Sequence, residues 1–253
     1  MIAGALAGFT GGLFGVGGGI VLIPILTGRF RLTQHQAHGT SLAVIGATAL
    51  ASLFVYGAAA HVAWRVALVI GAASVIAAPL GARLAARVSP RGLRLAFAAF
   101  LLLAAARLLW RVPEPGAPLV PAGALEWVVD LALGCAIGLL AGFMGVGGGV
   151  LAVPAFVLLL GLPQATAQGT SLAVILMTAP AGAVEHHRQG NVAWGLAPWL
   201  AAGAALGAPL AAALANRLPY EWLTRAFALF LVATSLQIGL RGQTRRPEAT
   251  GRV

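Results

Sequence analysis

Apolar residues in this chain neither alternate nor keep to one helical face; they run on without interruption. "SLAVIGATALASLFVYGAAA", Ser41 to Ala60, carries no charge. Neither do Val66–Ala82, Leu95–Ala106, Leu172–Val184, Val192–Ala215 and Ala226–Leu240. Such runs are too long for buried strands, and a bilayer span needs roughly 20 mostly apolar residues. The pattern predicts helices near 3–28, 33–60, 64–88 and 91–111, then near 126–161, 163–186, 193–216 and 221–241. The Pro- and Gly-rich stretch "VPEPGAPLVPAGA", Val112 to Ala124, reads as a linker, and residues 242–253 read as a disordered tail. The expected division is a first half over 1–111, a linker over 112–125 and a second half over 126–241. No basic stretch precedes the opening "IAGALAGF", so a cleaved signal peptide is not expected.

The halves repeat at a fixed shift of 130 residues. "GVGGG" at Gly15–Gly19 returns at Gly145–Gly149, and Pro24 returns as Pro154. "HGTSLAVI" from His38 matches "QGTSLAVI" from Gln168, and "HVAW" from His61 matches "NVAW" from Asn191. Chance similarity between apolar segments would not keep Gly, Pro, Thr, Ser and Trp in register, so the pattern reads as a duplication. Each half is expected to hold one glycine-broken segment followed by three helices. Internal repeats of this kind mark many secondary transporters.

Composition supports a membrane setting. Residues are 60% hydrophobic and only 9% charged, where a soluble domain has about 25% charged. The fold class is therefore an all-α polytopic integral membrane protein. The net charge of +10 comes from arginines between or at the ends of the apolar runs, with no lysine and no basic stripe with interleaved aromatics. That placement suits headgroup contacts and excludes nucleic acid as the expected partner; the partner is the lipid bilayer. Cys135 has no second cysteine to pair with and reads as a packing residue.

Arginine placement also bears on topology. If the glycine segment crosses once, the halves are parallel and the arginines divide evenly between the two sides. If it enters and returns, the halves are inverted. One side then collects Arg29, Arg31, Arg83, Arg87, Arg91, Arg94, Arg188 and the tail arginines, and the other keeps Arg65, Arg107, Arg111, Arg217 and Arg225. The positive-inside rule favours the uneven split, so inverted halves with a cytoplasmic C-terminus are the expectation.

"GVGGG" satisfies neither soluble glycine motif. The Walker pattern needs a lysine, and in Gly-x-Gly-x-x-Gly counted from Gly15 or Gly145 the last position is Ile20 or Val150. Glycines four apart, such as Gly4, Gly8 and Gly12, suit close helix packing. Three consecutive glycines cover every face of a helix and fit a break better. Free amides at a broken helix end carry partial positive charge and bind anions, and a glycine lets the ligand come close. The predicted anion site therefore draws on Gly17, Gly18, Gly19, Gly147, Gly148 and Gly149, with Thr40, Ser41, Gln168, Thr170 and Ser171 beside them. Hydroxyls that bond back to their own helix are the competing reading. His38, directly before "GTS", is the candidate for anion contact or for carrying a proton, and the other histidines read as solvated interfacial groups. No metal-ligand pattern and no cofactor fingerprint is present.

The paired "GxxGVGGGxxxxP" and "GTSLAV" motifs, with "GNVAW" at Gly190–Trp194 and "AHVAW" at Ala60–Trp64, resemble the sulfite exporter TauE/SafE family of membrane permeases. The resemblance covers nearly the whole chain. It implies a transporter, an exporter by expectation, of small anions such as sulfite, sulfonates or other organosulfur and carboxylate compounds in the bacterial inner membrane. A homodimer is compatible with such a chain. The rival classes are a passive anion channel and an intramembrane enzyme. "EHHRQ" does not supply the His-Glu-x-x-His of a metalloprotease, and a lone serine nucleophile gains nothing from two matched halves, so no enzymatic activity is expected.

Overall fold

The computed structural model describes residues 1–85, 91–110, 113–116, 118–120 and 123–240. The expected tail at 242–253, Arg87, the side chains of Arg91 and Arg94, and positions 112, 117, 121 and 122 of the expected linker lie outside the described residues. The order is α1 (Ile2–Phe14), α2 (Gly19–Gly28), α3 (Gln34–Ala58), α4 (Trp64–Ala85), α5 (Arg91–Trp110), α6 (Ala124–Met144), α7 (Gly149–Leu158), α8 (Gln164–Arg188), α9 (Ala197–Ala215) and α10 (Tyr220–Leu240). Helices α3, α4, α6, α8, α9 and α10 are long and apolar enough to cross a bilayer. The chain is an all-helical polytopic integral membrane protein. Large apolar side chains on several helices point outward, Ile76 and Leu103 among them. In water this would be unfavourable; against lipid tails it is not.

Both broken segments separate into two helices at the glycines. Gly18 has φ 84° and Gly148 has φ 75°, a region L side chains rarely adopt. A Cβ on Gly18 would also run into the Ala7 carbonyl, and one on Gly148 would lie 2.9 Å from the Ile137 carbonyl oxygen. The chain therefore folds back against the helix it has just left. Pro24 sits inside α2 and Pro154 inside α7. A proline there removes an N–H, so the Ile20 and Val150 carbonyls lose their intrahelical donor.

Small residues set the packing. Gly4, Gly8 and Gly12 of α1 lie on the Leu200, Ala204 and Ala208 backbone of α9, so these two helices run parallel. Gly134, Gly138 and Gly142 of α6 lie in the same way along Ile70, Ser74 and Ala78 of α4. Any Cβ at these glycines would meet backbone, so the outer glycines serve close helix packing.

The contacts also fix relative directions. Gly39 near the start of α3 meets His186 and Asn191 at the end of α8. Gly169 near the start of α8 meets Tyr56 and His61 at the end of α3. These two helices are antiparallel. Thr40 bonds Ala193 just before α9, and Asn216 just after α9 bonds Val55, so α9 runs with α3. Since α1 runs with α9, it also runs with α3, and the chain between them, α2, must return. The same reasoning through α4 gives α6 and α8 one common direction, with α7 returning.

Replacing Gly8 or Gly138 by Leu should separate α1 from α9 or α4 from α6. Overpacking a tight contact costs about 1–3 kcal/mol. Thermal unfolding of the purified variants in detergent should show a lowered midpoint, whereas Gly46→Leu, where a Cβ meets nothing within 4 Å, should leave it near the parent value.

Candidate functional site

The two breaks meet at the centre of the protein. A Cβ on Gly19 would lie 2.8 Å from the Val146 Cα, and one on Gly149 would lie 2.8 Å from both the Gly15 carbonyl oxygen and the Val16 Cα. Gly19 begins α2 and Gly149 begins α7, so two helix N-termini converge here. The first amides of a helix have no intrahelical acceptor, and each N-terminus carries about half a positive charge. Ile45 of α3 and Ile175 of α8 pack beside Gly17 and Gly147 and make the walls apolar.

The "GTS" elements cross between halves. Gln168 packs its Cα against Gly15, and Ser171 donates from Oγ to the Gly15 carbonyl at 2.8 Å. His38 packs against Gly145 of the opposite break. Thr40 Oγ1 accepts the Ala193 N–H at 2.9 Å, and Thr170 Oγ1 accepts the Ala63 N–H at 2.9 Å. Each threonine thus holds the "VAW" turn of the other half. Ser41 differs from its counterpart: its Oγ is buried beside Gly19 and has no hydrogen-bond partner among the described residues. Of the eleven residues expected to bind the anion, the six glycines, Ser41, Gln168 and Ser171 gather around the two breaks, and Thr40 and Thr170 face the turns.

Several polar residues here escape sequence reasoning. The Tyr56 hydroxyl lies 3.0 Å from both the Gly12 carbonyl oxygen and Gln168 Oε1, and bonds one at a time. Ser52 presents a buried hydroxyl toward Gly12 of α1, and Thr48, whose hydroxyl is also buried, packs its methyl on Gly11. All three lie on the α3 face that carries Ser41 and Ile45, a helical spacing that could have found them. His186 is fully buried, which corrects the expectation of a solvated interfacial group. Its Nε2 lies 3.0 Å from the Gly142 carbonyl oxygen and donates to it. His61, where the second half has Asn191, lies with Nδ1 2.8 Å from Asn216 Oδ1.

Among the described residues, the ion-paired charges on α4, α6 and α8 lie toward helix ends, away from the breaks. Arg83 pairs with Glu185 at 3.1 Å near the ends of α4 and α8. Arg65, at the start of α4, pairs with Glu126 and, at 3.4 Å, with Asp130.

A cavity reaches the centre from one side. Ile20, Ile23, Pro24, Gln34, His38, Met144, Val146, Gln237 and Ile238 line it. It therefore runs from the starts of α3 and the end of α10 to the backbone of the second break.

The family model for the sulfite exporter TauE/SafE matches residues 1–238. The chain belongs to the sulfite exporter TauE/SafE family. It is similar to the "Probable membrane transporter protein YunE" of Bacillus subtilis (strain 168), 28% identical over 96% of this chain and 97% of that protein. A "Probable membrane transporter protein" of Xylella fastidiosa (strain 9a5c) is 30% identical over 93% of this chain and 92% of its own length. No solved structure gives a significant match. As a TauE/SafE protein the chain is a membrane transporter, and its two glycine motifs are the two breaks that meet at the centre.

Thr40→Val and Thr170→Val each leave a backbone amide of a turn without its acceptor, which should lower stability by about 1–3 kcal/mol. Ser171→Ala loses one hydrogen bond, worth about 1 kcal/mol. Ser41→Ala loses none and should unfold near the parent temperature. Thermal unfolding of the four variants in detergent checks this order.

Proposed function

We propose that the chain is a secondary transporter of small anions such as sulfite, sulfonates or related organosulfur and carboxylate compounds. It works as an exporter in the bacterial inner membrane. The observation that carries this reading is the convergence of the α2 and α7 N-termini at Gly19 and Gly149. Two positive helix ends facing one apolar-walled point repel each other, and an anion between them removes the repulsion. Ser41 Oγ, buried and unpartnered beside Gly19, adds a donor. No lysine is present and the ion-paired arginines lie elsewhere, so neutral donors do the binding. Thr40 and Thr170 position the turns around the site.

We further infer that the halves are inverted repeats with a cytoplasmic C-terminus. The opposed directions of α3 and α8, and the return of α2 and α7, support this. The ends of α2, α4, α8 and α10 then share one side with Arg29, Arg31, Arg83 and Arg188, while Arg65, Arg107, Arg217 and Arg225 fall on the other.

Proteoliposomes holding the purified protein should take up one or more tracers from a panel of sulfite, sulfate, thiosulfate, taurine, sulfoacetate and lactate. Counterflow of labelled against unlabelled anion is the expected behaviour of a carrier; flux without counterflow identifies a passive channel. Ser41→Ala should weaken the apparent affinity for the transported anion about tenfold or more, since a hydrogen bond to a charged group is worth roughly 1.5–3 kcal/mol. Gly18→Val should insert and lose transport. A C-terminal green fluorescent protein fusion should fluoresce and an alkaline phosphatase fusion should be inactive; the reverse pattern rejects the cytoplasmic tail.

A further inference from the structure

The two halves match in sequence, but their surroundings at the centre do not. The cavity opens at Gln34 and His38 of the first half. Shifting its lining by 130 residues gives the corresponding positions on the other side: Ile23 becomes Val153, Gln34 becomes Gln164, His38 becomes Gln168 and Met144 becomes Phe14. Gln34 and His38 are half-buried, whereas Gln164 and Gln168 are completely buried; Ile23 and Val153 are both buried. Phe14 instead stacks on Phe230, with ring centroids 4.5 Å apart, and packs on Phe227 at 6.1 Å.

Gln164 gives the clue to what this closed region does. Both Nε2 and Oε1 of its amide are buried with no hydrogen-bond partner among the described residues, and Gln168 Nε2 is in the same condition. Burying an amide without partners is unfavourable by a few kcal/mol. A residue kept only for packing at this position would be apolar. Its counterpart Gln34 resolves the same chemistry by lining a cavity. Three unpartnered amide atoms on two glutamines in one closed region are therefore polar lining awaiting water or ligand.

We propose that the second half contains a closed vestibule around Gln164 and Gln168, the counterpart of the cavity at Gln34 and His38, and that Phe14 stacked on Phe230 and Phe227 is its gate. When Phe14 leaves the stack, the region opens to the opposite face of the membrane, and the amide N–H groups of Gln164 and Gln168 receive a small oxyanion passing from the central break. The assignment of the ligand rests on the transporter reading above; the existence and sidedness of the vestibule do not.

Side-specific thiol labelling tests it. The full chain carrying Cys135→Ser has no cysteine, and Gln34→Cys or Gln164→Cys then adds one on either side. A membrane-impermeant maleimide is applied to vesicles of defined orientation. Gln34→Cys should react from the face that carries the C-terminal tail. Gln164→Cys should react slowly, and only from the opposite face. Adding Phe14→Ala should speed the Gln164→Cys reaction about threefold to tenfold, the weight of one aromatic pair in a two-state equilibrium, and slow that of Gln34→Cys. Reaction of Gln164→Cys from the same face as Gln34→Cys overturns the proposal. So does an unreactive Gln164→Cys in both the parent and Phe14→Ala backgrounds. If Gln164→Cys does not fold, Val153→Cys serves for it with the same outcomes, as Ile23→Cys does for Gln34. Labelling needs no transported anion, so a protein that labels as expected but moves no tracer sinks the transport reading alone. One that transports with a one-sided labelling pattern sinks only the vestibule.

Discussion

Two helix N-termini held against each other at the centre of a membrane protein are electrostatically unfavourable, and the rest of the architecture follows from keeping them there. The α2 and α7 ends reach this point because Gly18 and Gly148 let the chain fold back where no side chain would fit. The return places Gly19 beside Val146 and Gly149 beside Gly15 and Val16. Antiparallel α3 and α8 brace the meeting point with Ile45 and Ile175. The long small-residue contacts of α1 with α9 and α6 with α4 then fix the outer framework. Polar groups at the centre stabilise the break rather than cancel its charge. Ser171 donates to the Gly15 carbonyl, Tyr56 reaches the Gly12 carbonyl, and His186 donates to that of Gly142. These bonds go to carbonyls at the C-terminal ends of α1 and α6, and none of them is made to the first amides of α2 and α7.

The halves depend on each other. Thr40 supports the turn before α9, Thr170 supports the turn before α4, and each break packs on the "GTS" element of the opposite half. Neither half could therefore hold its own break alone. Reciprocal support also gives a route for change. A shift of α3 relative to α8 would alter both breaks together, and the stack of Phe14 on Phe230 is one difference between the two sides.

Much of this was legible in the chain. Uncharged runs announced the helices, and three consecutive glycines announced the breaks, because no single helical face accounts for them. The fixed shift paired the motifs. Other features depend on which residues meet across more than a hundred positions, and local pattern carries no such information. Thr40 and Thr170 read as ligand donors in sequence; that their oxygens also accept amides from distant turns could not be read there. Tyr56 hid in an apolar run, although it lies on the face of Ser41 and Ser52. His186 read as a solvated residue beside Glu185 and His187, but it is buried, with Gly39 and Gly142 close against it. The difference between Gln34 and Gln164 was invisible for another reason. The residues are identical, and what separates them is how tightly each side is closed.

The central claim is that one anion sits between the first turns of α2 and α7. The most direct measurement is a structure of the protein soaked with selenite, a heavier relative of sulfite, with selenium located by its anomalous scattering. A single selenium peak between the Gly19 and Gly149 amides, within reach of Ser41 Oγ, is the predicted result. Selenium found only at the peripheral arginines, with the meeting point of the breaks vacant at saturating selenite, would contradict it.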